Sequence, residues 1–252
     1  MLHGCTQEAQ DFARGTRMNV EAERAGALVL YPTQPRAANQ NGCWNWFRPE
    51  DQRAGGGEPA LLLAMVRQVT ATQAVDPRRV YVAGLSAGGA MAALLAREFP
   101  QVFAAAGVHS GLAAGAAHNM MGALSAMKSG AKGYQPGGHG AQRAVPHIVF
   151  HGDRDATVHP RNGEQLLSAA APHGKAETAS GTSRDGQRYT RTIVRAADAG
   201  EVQAEHWLLH GAGHAWSGGD ARGSHTSAAG VNASQEMLRF FMEHPHAESR
   251  RA

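Results

Sequence analysis

Ser86 stands in the pentapeptide Gly84-Leu85-Ser86-Ala87-Gly88, and its neighbours decide what chemistry it can do. Upstream, Arg79-Val80-Tyr81-Val82-Ala83 reads as a short buried strand. Downstream, Gly89-Ala90-Met91-Ala92-Ala93-Leu94-Leu95-Ala96 reads as a tightly packed helix. A Gly-x-Ser-x-Gly turn between strand and helix strains the serine backbone and lifts its hydroxyl clear of a sheet. Side chains at 84 and 88 would collide with the neighbouring strand and helix, which explains the glycines. The Ala87 N–H lies at the helix N-terminus, where it stabilises a developing oxyanion. The chemistry predicted is attack by the Ser86 hydroxyl on a carbonyl. Without the flanking strand and helix the pentapeptide is a chance motif, and the competing reading is a glycine-rich helix start with a capping serine.

A serine hydroxyl needs a base to take its proton and a carboxylate to orient that base. In the α/β-hydrolase fold the chain order is Ser, then Asp or Glu, then His. The strand after the elbow unit runs into His151-Gly152-Asp153-Arg154-Asp155-Ala156-Thr157-Val158. Asp153 directly follows the strand glycine and suits a turn cap, whereas Asp155 lies farther out on the loop; Asp155 is the favoured acid. For the base, His206, His210 and His214 have the i, i+4, i+8 spacing of a helical metal site. Gly211 and Gly213 argue against a helix, and Glu205–Leu209 reads as a strand. His214 then occupies a glycine-freed loop and is the expected base, with His225 its main competitor. His244 and His246 read as solvated tail residues. No metal site is expected, because Cys5 and Cys43 have no ligand spacing either. The second oxyanion donor is expected from the Cys5 main-chain N–H, since Gly4 lets the backbone approach substrate. Cys5 as a thiol nucleophile is disfavoured because it has no elbow of its own.

These side chains need strand ends to carry them. Strands and helices alternate along 252 residues, which predicts one α/β-hydrolase domain with a mostly parallel sheet and helices on both faces. A helix is expected over 11–26, a strand over Ala27–Tyr31, a helix over 60–74, and strands over 103–108 and 145–150. A helix over 160–171, strands over 188–195 and 202–209 with Asp198-Ala199-Gly200 turning between them, and a closing helix over 230–243 complete the pattern. Residues 112–144, with Met120, Met121, Met127 and a Gly137-Gly138-His139-Gly140 cluster, break the rhythm and read as a cap-like insertion. His3-Gly4 should end a central strand, yet only Met1-Leu2 precede it. The expectation is an N-terminally truncated domain, with the first strands and any export signal lying before Met1. Cys5 and Cys43 follow neighbouring strand ends, so a disulfide is open to them; two buried free thiols are the alternative. The net charge is only +3, and the arginines are scattered without a basic run or aromatic interleaving. Neither nucleic acid nor a membrane is therefore an expected partner. No cofactor is expected.

Taken together, the residues resemble the polyhydroxybutyrate (PHB) depolymerase family of esterases, whose relatives include feruloyl and acetylxylan esterases. The resemblance rests on Leu2-His3-Gly4-Cys5-Thr6-Gln7, Cys43-Trp44-Asn45-Trp46-Phe47, Gly84 through Met91, His109-Ser110-Gly111, His151-Gly152 with Asp155, and Gly211 through Trp216. These blocks span nearly the whole chain in the expected order. The likeness implies Ser86 as nucleophile, Asp155 as orienting acid, His214 as base, and the Cys5 and Ala87 N–H groups as oxyanion hole. It implies a monomeric serine esterase acting on a short-chain polyester or small ester, in a disulfide-compatible, extracellular or periplasmic setting. Trp46, His109 and Trp216 are the expected substrate contacts. Packing of the loop is the stronger reading for Trp44 and Trp46, and Trp216 is the better contact candidate.

Overall fold

The computed structural model describes residues 1–135, 144–196 and 200–247. Among these, six strands form one sheet: β1 (Tyr81–Leu85), β2 (Ala105–His109), β3 (His147–Gly152), β4 (Lys175–Thr182), β5 (Arg188–Arg195) and β6 (Val202–Leu209), in the order β1-β2-β3-β6-β5-β4. β1, β2, β3 and β6 run parallel, while β5 is antiparallel to both β6 and β4. The parallel strands read as almost continuous apolar runs because helices cover both of their faces. The sheet is mostly parallel, as the alternating pattern predicts.

Side-chain alternation along β3 divides the core in two. Ile148 and Phe150 face a layer holding Phe12 of α1 (Ala9–Thr16), Met18 of α2 (Met18–Ala25), and Met237, Phe240 and Phe241 of α7 (Ala233–Glu243). Val149 faces the opposite layer, with Ala93 of α4 (Ala87–Glu98) and Leu166 of α6 (Arg161–Ala170). α3 (Gly57–Thr72) extends that second layer through Leu62 and Leu63, and α5 (Met120–Ser129) through Ala123 and Ala126. Every residue of α4 from Ala87 to Ala96 is buried, which its small side chains permit. Glu205, buried on β6, ties α7 to the sheet by accepting from Arg191 at 2.7 Å and from Arg239 at 2.7 Å.

Two expectations need correcting, and two elements were not placed by the sequence reading. The helix over 11–26 is two helices, because Arg17 adopts a left-handed backbone (φ 53°) between α1 and α2. Ala27–Tyr31 is not a laddered strand. The Met1 amino group donates to the Leu30 carbonyl at 2.8 Å, but a ladder needs a neighbour along its whole length, and Leu28 stays exposed. β4 escaped the sequence reading because its side chains are nearly all exposed; it is held by pairing with β5 and by contacts such as Thr178 with Thr192. The 112–144 segment contains α5, which Ala126 and Met127 anchor by accepting from Asn162 Nδ2 and the His159 N–H. The Gly137–Gly140 cluster, and Asp198-Ala199 of the expected turn, lie outside the described residues.

Leu2 runs parallel to β1: its N–H donates to Ala83 at 2.8 Å, and its carbonyl accepts from Leu85 at 3.1 Å. His3-Gly4 therefore leaves the sheet edge beside the elbow. The loop that follows is stapled by a Cys5–Cys43 disulfide with a sequence separation of 38. Closing a loop of this length contributes about 4 kcal/mol in the chain-entropy model. The Cys5→Ser/Cys43→Ser double variant is expected to lose about that much unfolding free energy, measured by urea denaturation against the oxidised protein.

Candidate active site

Ser86 ends β1 and begins α4 with φ 56° and ψ −119°, a conformation that L-residues rarely adopt. Its N–H donates to the His109 carbonyl at 2.9 Å and its carbonyl accepts from Ala90, so both sides of the turn are held. The flanking glycines admit a second chain. A Cβ on Gly84 would strike the Gly88 and Leu2 carbonyls, and a Cβ on Gly88 the carbonyls of Leu2 and His3. The Leu2-His3 backbone thus crosses directly over the elbow.

That crossing places Gly4 near Ser86: a Cβ on Gly4 would stand 3.6 Å from that of Ser86. Two side chains that the sequence reading did not single out hold this loop. The Gly4 N–H donates to Gln7 Oε1 at 2.9 Å, and Gln7 Nε2 donates to the Ser224 carbonyl at 2.9 Å. The His3 ring accepts from the Gln34 N–H through Nε2 (3.0 Å), which leaves Nδ1–H to donate to the Gly4 carbonyl (2.8 Å). Burial holds the His3 pKa below its ordinary value, consistent with a neutral ring. Their sequence signal was only proximity to Cys5.

Asp155 and His214 meet: His214 Nδ1–H donates to Asp155 Oδ2 at 2.7 Å. Asp155 Oδ1 accepts the N–H groups of Thr157 (2.9 Å) and Val158 (2.8 Å), so both carboxylate oxygens are engaged. Burial raises the Asp155 pKa, but the His214 hydrogen bond and charge and the Val158 N–H outweigh it, and the net shift is downward. His214 Nε2 is left for a proton transfer. The Ser86 hydroxyl is not hydrogen-bonded to the His214 ring in this structure.

The competitors have other partners. Asp153 accepts from His210 Nδ1 at 2.9 Å and from the Gly211 N–H at 2.7 Å. His210 Nε2 is taken by Thr190 at 2.9 Å, so that ring has no free base nitrogen. His206 is buried under α6. His225 is exposed, with its ring centroid 6.5 Å from that of His214 and Nε2 3.3 Å from Thr6 Oγ1. The i, i+4, i+8 histidines therefore go to three different neighbourhoods. A groove of about 510 Å³, lined by Leu28, Val66 and Val80 among others, lies at the opposite end of β1 and contains none of these groups.

A family model described as Esterase PHB depolymerase matches residues 1–195. The chain belongs to this family. It is 30% identical over 224 residues to poly(3-hydroxyalkanoate) depolymerase C of Paucimonas lemoignei, covering 84% of this chain and 53% of that protein. It is 32% identical over 182 residues to feruloyl esterase B of Thermothelomyces thermophilus, covering 66% and 61%. The chain thus spans about half to three fifths of the length of these relatives. Among solved structures, acetyl xylan esterase from Aspergillus awamori superposes with a TM-score of 0.71 at 21% identity, over 96% of this chain and 87% of that one. This likeness shows a shared α/β-hydrolase fold.

Within this PHB depolymerase-family chain the expected substrate contacts are not surface groups. Trp216 is fully buried, edge-on to Phe12 with centroids 5.5 Å apart, and its Nε1–H donates to Ser234. Trp46 is buried edge-on to Phe47, 5.6 Å between centroids. His109 is fully buried between Phe150 and Trp216, and burial pushes its pKa down to about 3. Its Nε2 accepts from the Ser217 N–H at 3.2 Å, which pins the strand end to the loop after His214. The reason is steric: an indole two residues past His214 points back into the core layer between sheet and α1. Trp216→Ala is expected to cost about 3–5 kcal/mol of unfolding free energy, read from urea melts. A second expectation concerns acid. Because the folded Asp155 pKa lies below its unfolded value, the pair contributes stability above the ordinary carboxylate range that is lost as pH falls through the folded value. The stabilities of wild type and Asp155→Asn should differ at neutral pH and converge in strong acid, measured by denaturation across pH.

Proposed function

We propose that this chain is a serine esterase that hydrolyses polyhydroxybutyrate-type short-chain polyesters, or their oligomers, through an acyl-enzyme on Ser86. The observation that supports this best is the pairing of half-buried His214 with buried Asp155, with Nε2 free, at the sheet edge that carries the Ser86 elbow. In this reading His214 Nε2 takes the Ser86 proton as Oγ attacks the ester carbonyl. The tetrahedral oxyanion accepts hydrogen bonds from the Cys5 and Ala87 N–H groups. Collapse breaks the ester C–O bond, and His214 returns its proton to the departing alcohol. Water, deprotonated by His214, then attacks acyl-Ser86, releases the acid and restores the hydroxyl.

A feruloyl- or acetylxylan-type carbohydrate esterase would use the same groups, and the likeness to proteins of those names favours keeping it as the second reading. The protein acts as a monomer on soluble esters or oligomers. The Cys5–Cys43 disulfide supports an oxidising, extracellular or periplasmic location. Among the described residues no helix is long and apolar enough to cross a membrane.

Ser86→Ala is expected to lower kcat by about 10³-fold or more with retained fold, and to abolish labelling by a fluorophosphonate probe. An active, labelled variant would remove Ser86 from the reaction. Hydroxybutyrate oligomers, polymer films, and feruloyl and acetylated sugar esters assayed side by side separate the two substrate readings.

A further inference from the structure

Behind Asp155 lie two imidazoles that hydrolysis by Ser86 and His214 does not use. His151, near the end of β3, is fully buried. Its Nε2 sits 2.7 Å from the Val158 carbonyl and 3.6 Å from Asp155 Oδ2, the same oxygen that accepts from His214. A carbonyl only accepts, so Nε2 carries the ring hydrogen and Nδ1 presents a lone pair. That Nδ1 is buried without a hydrogen-bond partner, and so is Nε2 of His206 on β6.

These two nitrogens face the same spot. His206 pairs in register with Val149, which puts it on the α6 side of the sheet together with His151. A Cβ on Gly163 of α6 would stand 2.8 Å from His206 Nε2 and 3.0 Å from His151 Nδ1. Glycine at 163 is therefore what lets α6 close over the pair. The two nitrogens are not hydrogen-bonded to each other, so the contact is one of packing, with α6 closing over both rings at Gly163. Burial holds the pKa of both rings below the ordinary histidine value, that of His206 at about 3, in keeping with neutral rings. The titratable groups acting on His151 are Asp155, His214 and His159; it acts in turn on His109 and His206.

We propose that His151, packed beside His206 under α6, is a positioning residue for Asp155. The chord from His151 to the Val158 carbonyl closes the turn whose N–H groups hold Asp155 Oδ1. The same nitrogen, His151 Nε2, lies 3.6 Å from Oδ2, the oxygen that accepts from His214, so the ring sits against the carboxylate while its N–H holds the Val158 carbonyl. This rests on the esterase reading of Ser86, Asp155 and His214. It adds a residue that orients the acid without touching substrate.

The test compares His151→Phe, which keeps the ring volume and loses the N–H, with His151→Gln, which restores an N–H near the Nε2 position. With a soluble p-nitrophenyl ester, His151→Phe is expected to lower kcat by on the order of tenfold to a hundredfold at unchanged KM, and His151→Gln to recover most of it. The downfield proton resonance of His214 Nδ1–H should shift in His151→Phe and return in His151→Gln. If His151→Phe fails to fold, His206→Phe serves, with an expected kcat loss of a few fold, unchanged KM and a smaller shift of the same resonance. Wild-type kcat and an unmoved resonance in the folded variants would overturn the proposal. So would equal losses in Phe and Gln that track thermal stability alone. An inactive wild-type protein would instead sink the esterase reading, while the resonance still reports on His151 and Asp155.

Discussion

The constraint on which the rest depends is the passage of one backbone over another at the elbow. Leu2-His3 lies so close to Gly84 and Gly88 that their missing side chains are the only space available. Hydrogen bonds from Leu2 to Ala83 and from Leu85 to Leu2 fix that crossing on the sheet edge. Ser86 is forced into a left-handed backbone there, and such strain persists only where its surroundings over-determine it. Here they do, through the His109 carbonyl on one side and the first turn of α4 on the other. The crossing also brings Gly4 to the serine, so one steric fact sets both the strained backbone of Ser86 and the loop beside it.

Around this point the parallel strands act as guides of equal direction. β1, β3 and β6 all end on one edge, so the groups that follow each of them gather there without a special device. What remains is to aim them. Asp155 is aimed by its own turn, whose two N–H groups fill one oxygen. His214 is aimed by Asp155, and the chain after it is anchored by His109, Trp216 and Ser217 in the core. The buried aromatic and histidine rings thus spend their packing on immobilising loops, and none of the three expected contact residues offers its ring to solvent.

Asp153 with His210 and Asp155 with His214 show how differently two Asp–His pairs in one chain can be surrounded. Both are Asp–His hydrogen bonds a few residues from Asp155 and His214. The first is partly exposed and has Thr190 on its remaining nitrogen; the second joins a buried carboxylate to a half-buried ring and leaves Nε2 open. Composition and spacing treat the two alike. Their neighbours do not.

Local chemistry carried much of this protein into view. The glycines around Ser86, the apolar runs of β1, β2, β3 and β6, and the small residues of α4 each have one comfortable structure, so the elbow and the parallel sheet were legible residue by residue. Asp155 was preferred over Asp153 from its loop position, and in the structure each of the two accepts from a histidine, Asp155 from His214 and Asp153 from His210. Other features were decided only in three dimensions. The break at Arg17, the exposed strand β4 and the unladdered Ala27–Tyr31 depend on which neighbour is present, and a linear pattern does not carry that. Whether an indole faces substrate or core depends on what lies across the loop, so Trp46 and Trp216 could not be placed from their spacing. The histidines show this most sharply: identical side chains became a surface group, a fully buried ring or a half-buried ring fixed to a carboxylate according to burial and to which nitrogen another residue already holds.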